Sequence, residues 1–309
     1  MRIVYMGTPD FAVSGLEALY RAGHEILCVV SQPDKPVGRH AELSPTPVKA
    51  KAQEFGLPVL QPVKASDPEF IGKIRALAPQ VIVVAAYGKI LRKELLDIPD
   101  CGCVNIHGSL LPRWRGAAPI QWAVMSGDRV SGLTTMMMAE GMDTGDILLK
   151  TELPLRPDET GGSLFERLKD CAGPLIVETL DLLEKGELKP QKQAEELVTY
   201  APPLTKEMGE LDFSGEARQL ECRIRGLYPW PGSYTRLNGR ILKIHKAEVA
   251  SEEVSGRLSG RVPGELVPLG KELYAVCGKG ALRLKEVQPE GKKRMDAADF
   301  LSGYRALFQ

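Results

Sequence analysis

The sequence predicts an α/β protein, a doubly wound and mostly parallel sheet, followed by a small all-β domain at the C-terminus. Three observations predict it. Short, wholly apolar runs rich in Val and Ile alternate with helix-like segments as far as Lys185, which is the pattern of strands buried on both faces. A chain of 309 residues exceeds what one ordinary core supports, so two domains are expected. Beyond a Pro- and Gln-rich stretch the texture changes to short strand-like segments between turn signals. The expected domains are 1–189 and 206–309, with 190–205 as a linker.

Each element follows from its residues. Arg2–Met6 is apolar and β-branched, Gly7-Thr8-Pro9-Asp10 turns the chain, and a helical pattern capped by Asp10 runs to Ala22. Glu25–Ser31 is a buried strand. Gln32–Pro47 is polar and punctuated by Pro and Gly, without periodicity; a connection of that length inside a compact domain points to function or disorder. Val48–Phe55 reads as a helix, Val59-Leu60 as a short strand, Asp67–Leu77 as a helix and Val81–Ala86 as a strand apolar on both sides. Val104–His107 is another short strand, Ala117–Ser126 a helix, and Thr134–Met138 and Ile147–Leu153 are strands. Ser163–Lys185 is a long amphipathic helix that Gly186 stops. Tyr234–Leu237, Ile241–Val249, Gly264–Val267, Leu273–Val276 and Leu282–Val287 make the C-terminal domain a small barrel or sandwich. In doubly wound sheets, ligands sit outside the carboxyl ends of the strands.

Composition narrows the function. With 43% hydrophobic and 26% charged residues the chain is globular, and no apolar run approaches the roughly 20 residues needed to span a bilayer. Its start reads as a strand rather than a charged leader before an apolar stretch, so a cytoplasmic location and no membrane partner are expected. Six scattered cysteines, only Cys101 and Cys103 close together, suit packed thiols better than a zinc site or a disulfide framework. Four histidines without ligand spacing leave no metal expected. The 40 basic and 40 acidic residues cancel, but from Lys206 onward 18 Lys and Arg face 14 Asp and Glu, a slight pull toward a polyanion. One glycine in Gly7-Thr8-Pro9-Asp10 excludes a dinucleotide fingerprint and a P-loop, and no G-x-S-x-G elbow is present.

The densest chemistry is N-I-H-G-S-L-L-P, Asn105 to Pro112, where a short strand runs into a loop. Strand alternation puts Asn105 and His107 on one side. A side-chain amide can donate to the oxygen charge that develops when a carbonyl becomes tetrahedral, and an imidazole can donate or shuttle a proton near neutrality. Such a pair also holds loops, and a lone histidine is better read that way; the N-x-H spacing with S-L-L-P after it favours chemistry. E-G-M-D-T-G-D-I carries Asp143 at the apex of a turn bracketed by Gly141 and Gly145. By itself Asp143 is a turn residue. Facing the imidazole, it would hold one tautomer and stabilise the charged form.

These residues resemble the folate-dependent formyltransferases, specifically the branch that acts on tRNA. The likeness covers essentially the whole chain: Gly7–Phe11, Gln32–Arg39, the run Asn105–Trp122, Met142–Ile147 and Arg225–Gly232. It implies a Rossmann variant with an OB-like barrel behind it, and Asn105, His107 and Asp143 as the catalytic trio. The formyl donor would be 10-formyltetrahydrofolate, contacted by Ser109, Leu110, Leu111 and Pro112, with Gly88, Ile90 and Leu91 lining the pterin pocket. The acceptor would be the methionine amine of initiator methionyl-tRNA, touched by Phe11, Lys35, Arg39, Lys206 and Arg225, with the protein a monomer. A formyltransferase acting on a small amine, a formylfolate hydrolase and a non-catalytic binding module are the alternatives. One departure stands out. His40-Ala41-Glu42 replaces the lysines that relatives carry after Gly38-Arg39, which leaves the loop's positive charge to Arg39 and Lys35.

Overall fold

A computed structural model describes residues 1–37 and 42–308. The chain forms two compact units. Met1–Pro119, Val130–Pro154 and Phe165–Ala201 make the first; Ile120–Arg129, Leu155–Leu164 and the chain from Pro202 onward make the second.

Along the chain come β1 (Arg2–Gly7), α1 (Phe11–Arg21), β2 (Glu25–Val30), the hairpin strands β3 (Lys35–Val37) and β4 (Glu42–Ser44), α2 (Pro47–Glu54), β5 (Val59–Leu60) and α3 (Pro68–Leu77). There follow β6 (Val81–Ala85), α4 (Lys93–Leu96), β7 (Cys103–His107), β8 (Arg115–Gly116), α5 (Pro119–Met125), β9 (Val130–Met137), β10 (Ile147–Pro154), α6 (Gly161–Glu184) and β11 (Tyr200–Ala201). The main sheet has the order β10-β9-β7-β6-β1-β2-β5. Five neighbouring strands, β5 to β7, are parallel, while β9 runs antiparallel to β7 and β10 to β9. The mostly parallel sheet is thus borne out. From β1 the chain winds outward to β2 and β5, then returns to β6 on the other side. The strand order therefore reverses between β1 and β6, and a crevice opens at their carboxyl ends.

Apolar strands follow from cover on both faces. Val4, Met6, Cys28, Val30, Ile82, Val84 and Cys103 pack with Phe70 and Ile74 of α3. The alternate residues Ile3, Tyr5, Val29 and Val83 are equally buried. On that face the Tyr5 hydroxyl donates to the Ala12 carbonyl of α1, and burial raises its pKa far above the usual tyrosine value. Helix starts are set by side chains: Thr46 accepts from the Lys49 amide ahead of α2, and Asp67 from the Glu69 amide ahead of α3. Asp10 differs from its expected capping role. Its backbone is already helical, at φ −56° and ψ −33°, and its carboxylate pairs with Lys169 of α6 instead.

The stretch 190–205 meets the expectation of a linker with a different finding. Up to Ala201 it belongs to the first unit, where Gln191 bridges to Ile147 and β11 pairs in parallel with β8. Backbone bonds at Gln191, Thr199 and Ala201 and the side chains of Gln193, Glu195 and Thr199 hold it there without an apolar face.

The second unit contains α7 (Ala217–Gly226), β12 (Ser233–Leu237), β13 (Arg240–Val249), α8 (Glu252–Arg257), β14 (Leu266–Leu269), β15 (Glu272–Val276), β16 (Ala281–Pro289), β17 (Met295–Asp296) and α9 (Ala297–Gly303). Its sheet runs β12-β13-β16-β15-β14, antiparallel throughout, with β17 added on β16. Register shifts around Lys246 bend β13, which lets a ten-residue strand pair on both sides of a curved sheet. Leu220 and Ile224 of α7 and Phe300 of α9 close the core over Leu242, Ile244, Leu284 and Val287. Among the described residues, no helix is long and apolar enough to cross a membrane.

Candidate active site

β7 lies between β6 and β9 and ends at His107, one strand from the β1/β6 crevice. Asn105 stands opposite Val84 and Met136, and His107 opposite Thr134, so period-two alternation carries both side chains to the same face. The Asn105 amide has no hydrogen-bond partner among the described residues. His107 is 5% exposed and held at both nitrogens. Its Nε2 lies 2.9 Å from the Trp114 carbonyl, which can only accept, so Nε2 carries a proton. Its Nδ1 faces Oδ2 of Asp143 across 3.7 Å. The imidazole and the carboxylate, separated by a long stretch of chain, thus meet.

Backbone groups align this pair. Trp114 adopts a left-handed φ of 62°, and its carbonyl reaches His107. Two residues later Gly116, at φ 123°, donates its amide to Asp143 Oδ2 at 2.8 Å. A Cβ on Gly116 would sit 2.7 Å from the Ala201 carbonyl oxygen, so only glycine allows this approach. Asp143 itself has φ 52°. Gln193 donates to the carbonyls of Asp143 and Gly145 at 2.7 and 2.8 Å, and its Oε1 accepts from Arg115 Nε at 3.0 Å. The Arg115 guanidinium, 2% exposed, is bound by both oxygens of Glu195 at 2.8 and 3.2 Å. Sequence reasoning missed Trp114, Gly116 and Gln193. Arg115 and Gly116 lay inside the run that carried the family likeness, whereas Gln193 stood in an aperiodic polar stretch with no signal.

The loop after β7 is closed on itself. Ser109 is fully buried and donates to the Arg113 carbonyl at 2.6 Å, while the Thr134 hydroxyl donates to Ser109 O and accepts from the Leu111 amide. Leu111 is buried; Leu110 and Pro112 are half-buried. After β6, Gly88 has φ 77°, and Gln32 donates to the carbonyls of Tyr87 and Gly88 at 2.8 and 3.3 Å. A side chain at Gly88 would collide with that Gln32 amide. Thr8 also donates to Tyr87 O, so three loops at the crevice are tied together. Ile90 is 86% exposed and Leu91 is buried. Burial pushes the Tyr87 phenol up to about 12.

The residues expected to meet tRNA fall in different settings. Lys35 is exposed on the β3–β4 hairpin, and Lys206 is exposed as well. Arg39 lies outside the described residues. Phe11 is buried at the start of α1, its ring 5.7 Å from Phe165. Arg225 is committed within its own unit: its fork binds Glu221 and the Glu159 carbonyl, and burial of this ion pair leaves little of it on the surface. Among the described residues, no group of three or more His, Cys, Asp and Glu is placed to hold a metal ion.

Residues 1–180 match the formyl transferase family, and residues 203–305 match the formyl transferase C-terminal domain. The methionyl-tRNA formyltransferase of Geobacter sulfurreducens is 49% identical over 306 residues, 99% of this chain and 94% of that protein. The one from Lachnospira eligens is 48% identical over 304 residues, 98% of this chain and 96% of that protein. Among solved structures, WlaRD, a sugar 3N-formyl transferase, has a TM-score of 0.68 at 15% identity, over 95% of this chain and 99% of that one. HypX from Aquifex aeolicus, solved with tetrahydrofolic acid, has a TM-score of 0.62 at 18% identity, over 97% of this chain and 47% of that one. Likeness at such identities shows the fold; the two matched domains and the full-length relatives show more: this chain belongs to the formyl transferase family, among the methionyl-tRNA formyltransferases.

Proposed function

We propose that the chain transfers the formyl group of 10-formyltetrahydrofolate to the α-amine of methionine on initiator tRNA, in the cytoplasm, for the start of translation. The observation that carries the site assignment is the 3.7 Å approach of His107 Nδ1 to Asp143, on the strand face that also bears the unpartnered Asn105 amide. One chain holds all three residues, so a monomer suffices.

The donor presents a formyl carbon on a nitrogen leaving group. A methionyl α-amine, with a pKa of roughly 7.7–8.0 or lower beside an ester, is largely free base at neutral pH and attacks that carbon directly. The new C–N bond forms as the carbonyl electrons move to oxygen. Asn105 donates to this oxygen, and so does His107 through Nδ1, since its Nε2 proton is held by the Trp114 carbonyl. Asp143 stabilises the imidazolium and takes the amine's proton on Oδ1, which has no partner among the described residues; Oδ2 is held by Gly116. Collapse of the tetrahedral centre breaks the bond to the donor nitrogen, which leaves with that proton.

The donor's place is lined by Gly88, Ile90 and Leu91 after β6 and by Ser109, Leu110, Leu111 and Pro112 after β7. Ile90 offers exposed apolar surface, while buried Leu91, Leu111 and Ser109 shape the loops behind it. Lys35, Arg39, Lys206 and Arg225 serve the tRNA and Phe11 the methionyl end, with Arg225 also bound to Glu221 within its own unit. The assay mixes protein and formylfolate with charged initiator tRNA, a small amine or buffer, and follows loss of formyl from the donor. Formylation of the tRNA alone is expected. Equal transfer to the small amine or to water would overturn the reading.

A further inference from the structure

We infer that Gln193 is a positioning residue for formyl transfer, setting the Asp143 carboxylate by joining its loop to the buried Arg115. The inference rests on the role given to Asp143 above.

Asp143 occupies a left-handed φ of 52°, a conformation that costs a non-glycine residue of order 1–3 kcal/mol and persists only where the surroundings impose it. The imposing group is one amide. Gln193 uses both hydrogens of Nε2, one on the Asp143 carbonyl and one on the Gly145 carbonyl. Its Oε1 accepts from Arg115. Reversing the amide would set its oxygen against two carbonyls and its hydrogens against a guanidinium, so the orientation has one solution. Arg115 is fixed in turn by Glu195 through its side chain and by the Thr199 carbonyl through its backbone amide. The next residue, Gly116, gives its amide to the Asp143 carboxylate. The main chain of Asp143 and its side chain are therefore both referred to Arg115, by two short routes. Only glycine fits at Gly145, because a Cβ there would sit 1.7 Å from the Met137 carbonyl oxygen.

Gln193 is the buried polar side chain of 190–201, and it faces backbone groups of the Asp143 loop.

Gln193→Glu keeps the volume and an acceptor for Arg115, but its carboxylate cannot donate to two carbonyls. Gln193→Leu removes the whole bridge. Steady-state kinetics should show kcat down on the order of 100-fold for both, with KM for donor and tRNA within a few-fold. In an Asp143→Asn background, Gln193→Glu should lower kcat no further, because it acts through the carboxylate already removed. Should Gln193→Leu fail to fold, Gln193→Glu, checked by thermal melting, carries the comparison. Wild-type kcat in Gln193→Glu, or losses that multiply in the double variant, would overturn the inference. Failure of the underlying reading looks different: wild type would transfer no formyl to tRNA, or Asp143→Asn would be as fast as wild type.

Discussion

The backbone amide of Gly116 donates to Oδ2 of Asp143 at 2.8 Å, and the same oxygen lies 3.7 Å from Nδ1 of His107. Because the Trp114 carbonyl holds Nε2 of that imidazole, a turn of a few residues grips both members of the pair through its main chain. The alignment needs no side chain of the turn itself. It needs a carbonyl and an N–H presented in directions that only positive φ values at Trp114 and Gly116 provide.

Removing the proposed oxyanion donors tests the chemistry most directly. Asn105→Ala and His107→Ala should each lower kcat on the order of 100- to 1,000-fold, with donor affinity changed far less. Single-turnover formylation of charged tRNA reads the effect. Turnover within a few-fold of wild type in both would mean the trio is misassigned.

Gly116→Ala should act twice. Strain at φ 123° and the clash with the Ala201 carbonyl cost about 1–3 kcal/mol of stability, and the shifted turn loosens both His107 and Asp143. A lower melting temperature together with a fall in kcat is expected. A variant that melts early yet turns over normally would separate the turn from catalysis.

Arg225 and Lys35 should behave differently although both are basic. Arg225→Ala leaves the buried Glu221 paired only with the exposed Arg218 and should destabilise the second unit by about 1–3 kcal/mol. Lys35→Ala should leave the melting temperature unchanged, raise KM for tRNA and flatten its salt dependence, as loss of a phosphate contact does. Melting curves and KM at two salt concentrations distinguish them.

Acid should weaken the Arg115–Glu195 link. The Arg115 guanidinium beside Glu195 holds its carboxyl below the usual value of 4.5. A depressed folded pKa means the pairing contributes fully above that value and is lost as pH falls through the lower, folded one. Wild type should therefore melt above Glu195→Gln at neutral pH, and the gap should close as the pH falls below 4.5. A gap that persists or widens in acid would count against the pairing.

Much of the fold is legible in the sequence. Apolar runs such as Val81–Ala85 announce strands covered on both faces, and the shift to short strands near the C-terminus announces the antiparallel unit, because burial periodicity is written locally. Asn105 and His107 were legible for the same reason, since two residues apart on a strand means one face. Asp10 and 190–205 were read from residue type, and type is a poor guide where a partner decides. A carboxylate after a turn looks like a cap until Lys169 takes it, and the arginine read as a phosphate contact is also bound by Glu221.

What the sequence by itself determined was the alternation of elements and the placing of an amide and an imidazole at one strand end. Tertiary structure alone decided that Asp143 faces that imidazole, that Trp114 and Gly116 hold the two through bare backbone, and that Gln193 reaches back to the loop. Backbone carbonyls and amides are common to nearly every residue, so their use leaves no mark in residue identity; only the path of the chain through space says which of them meet.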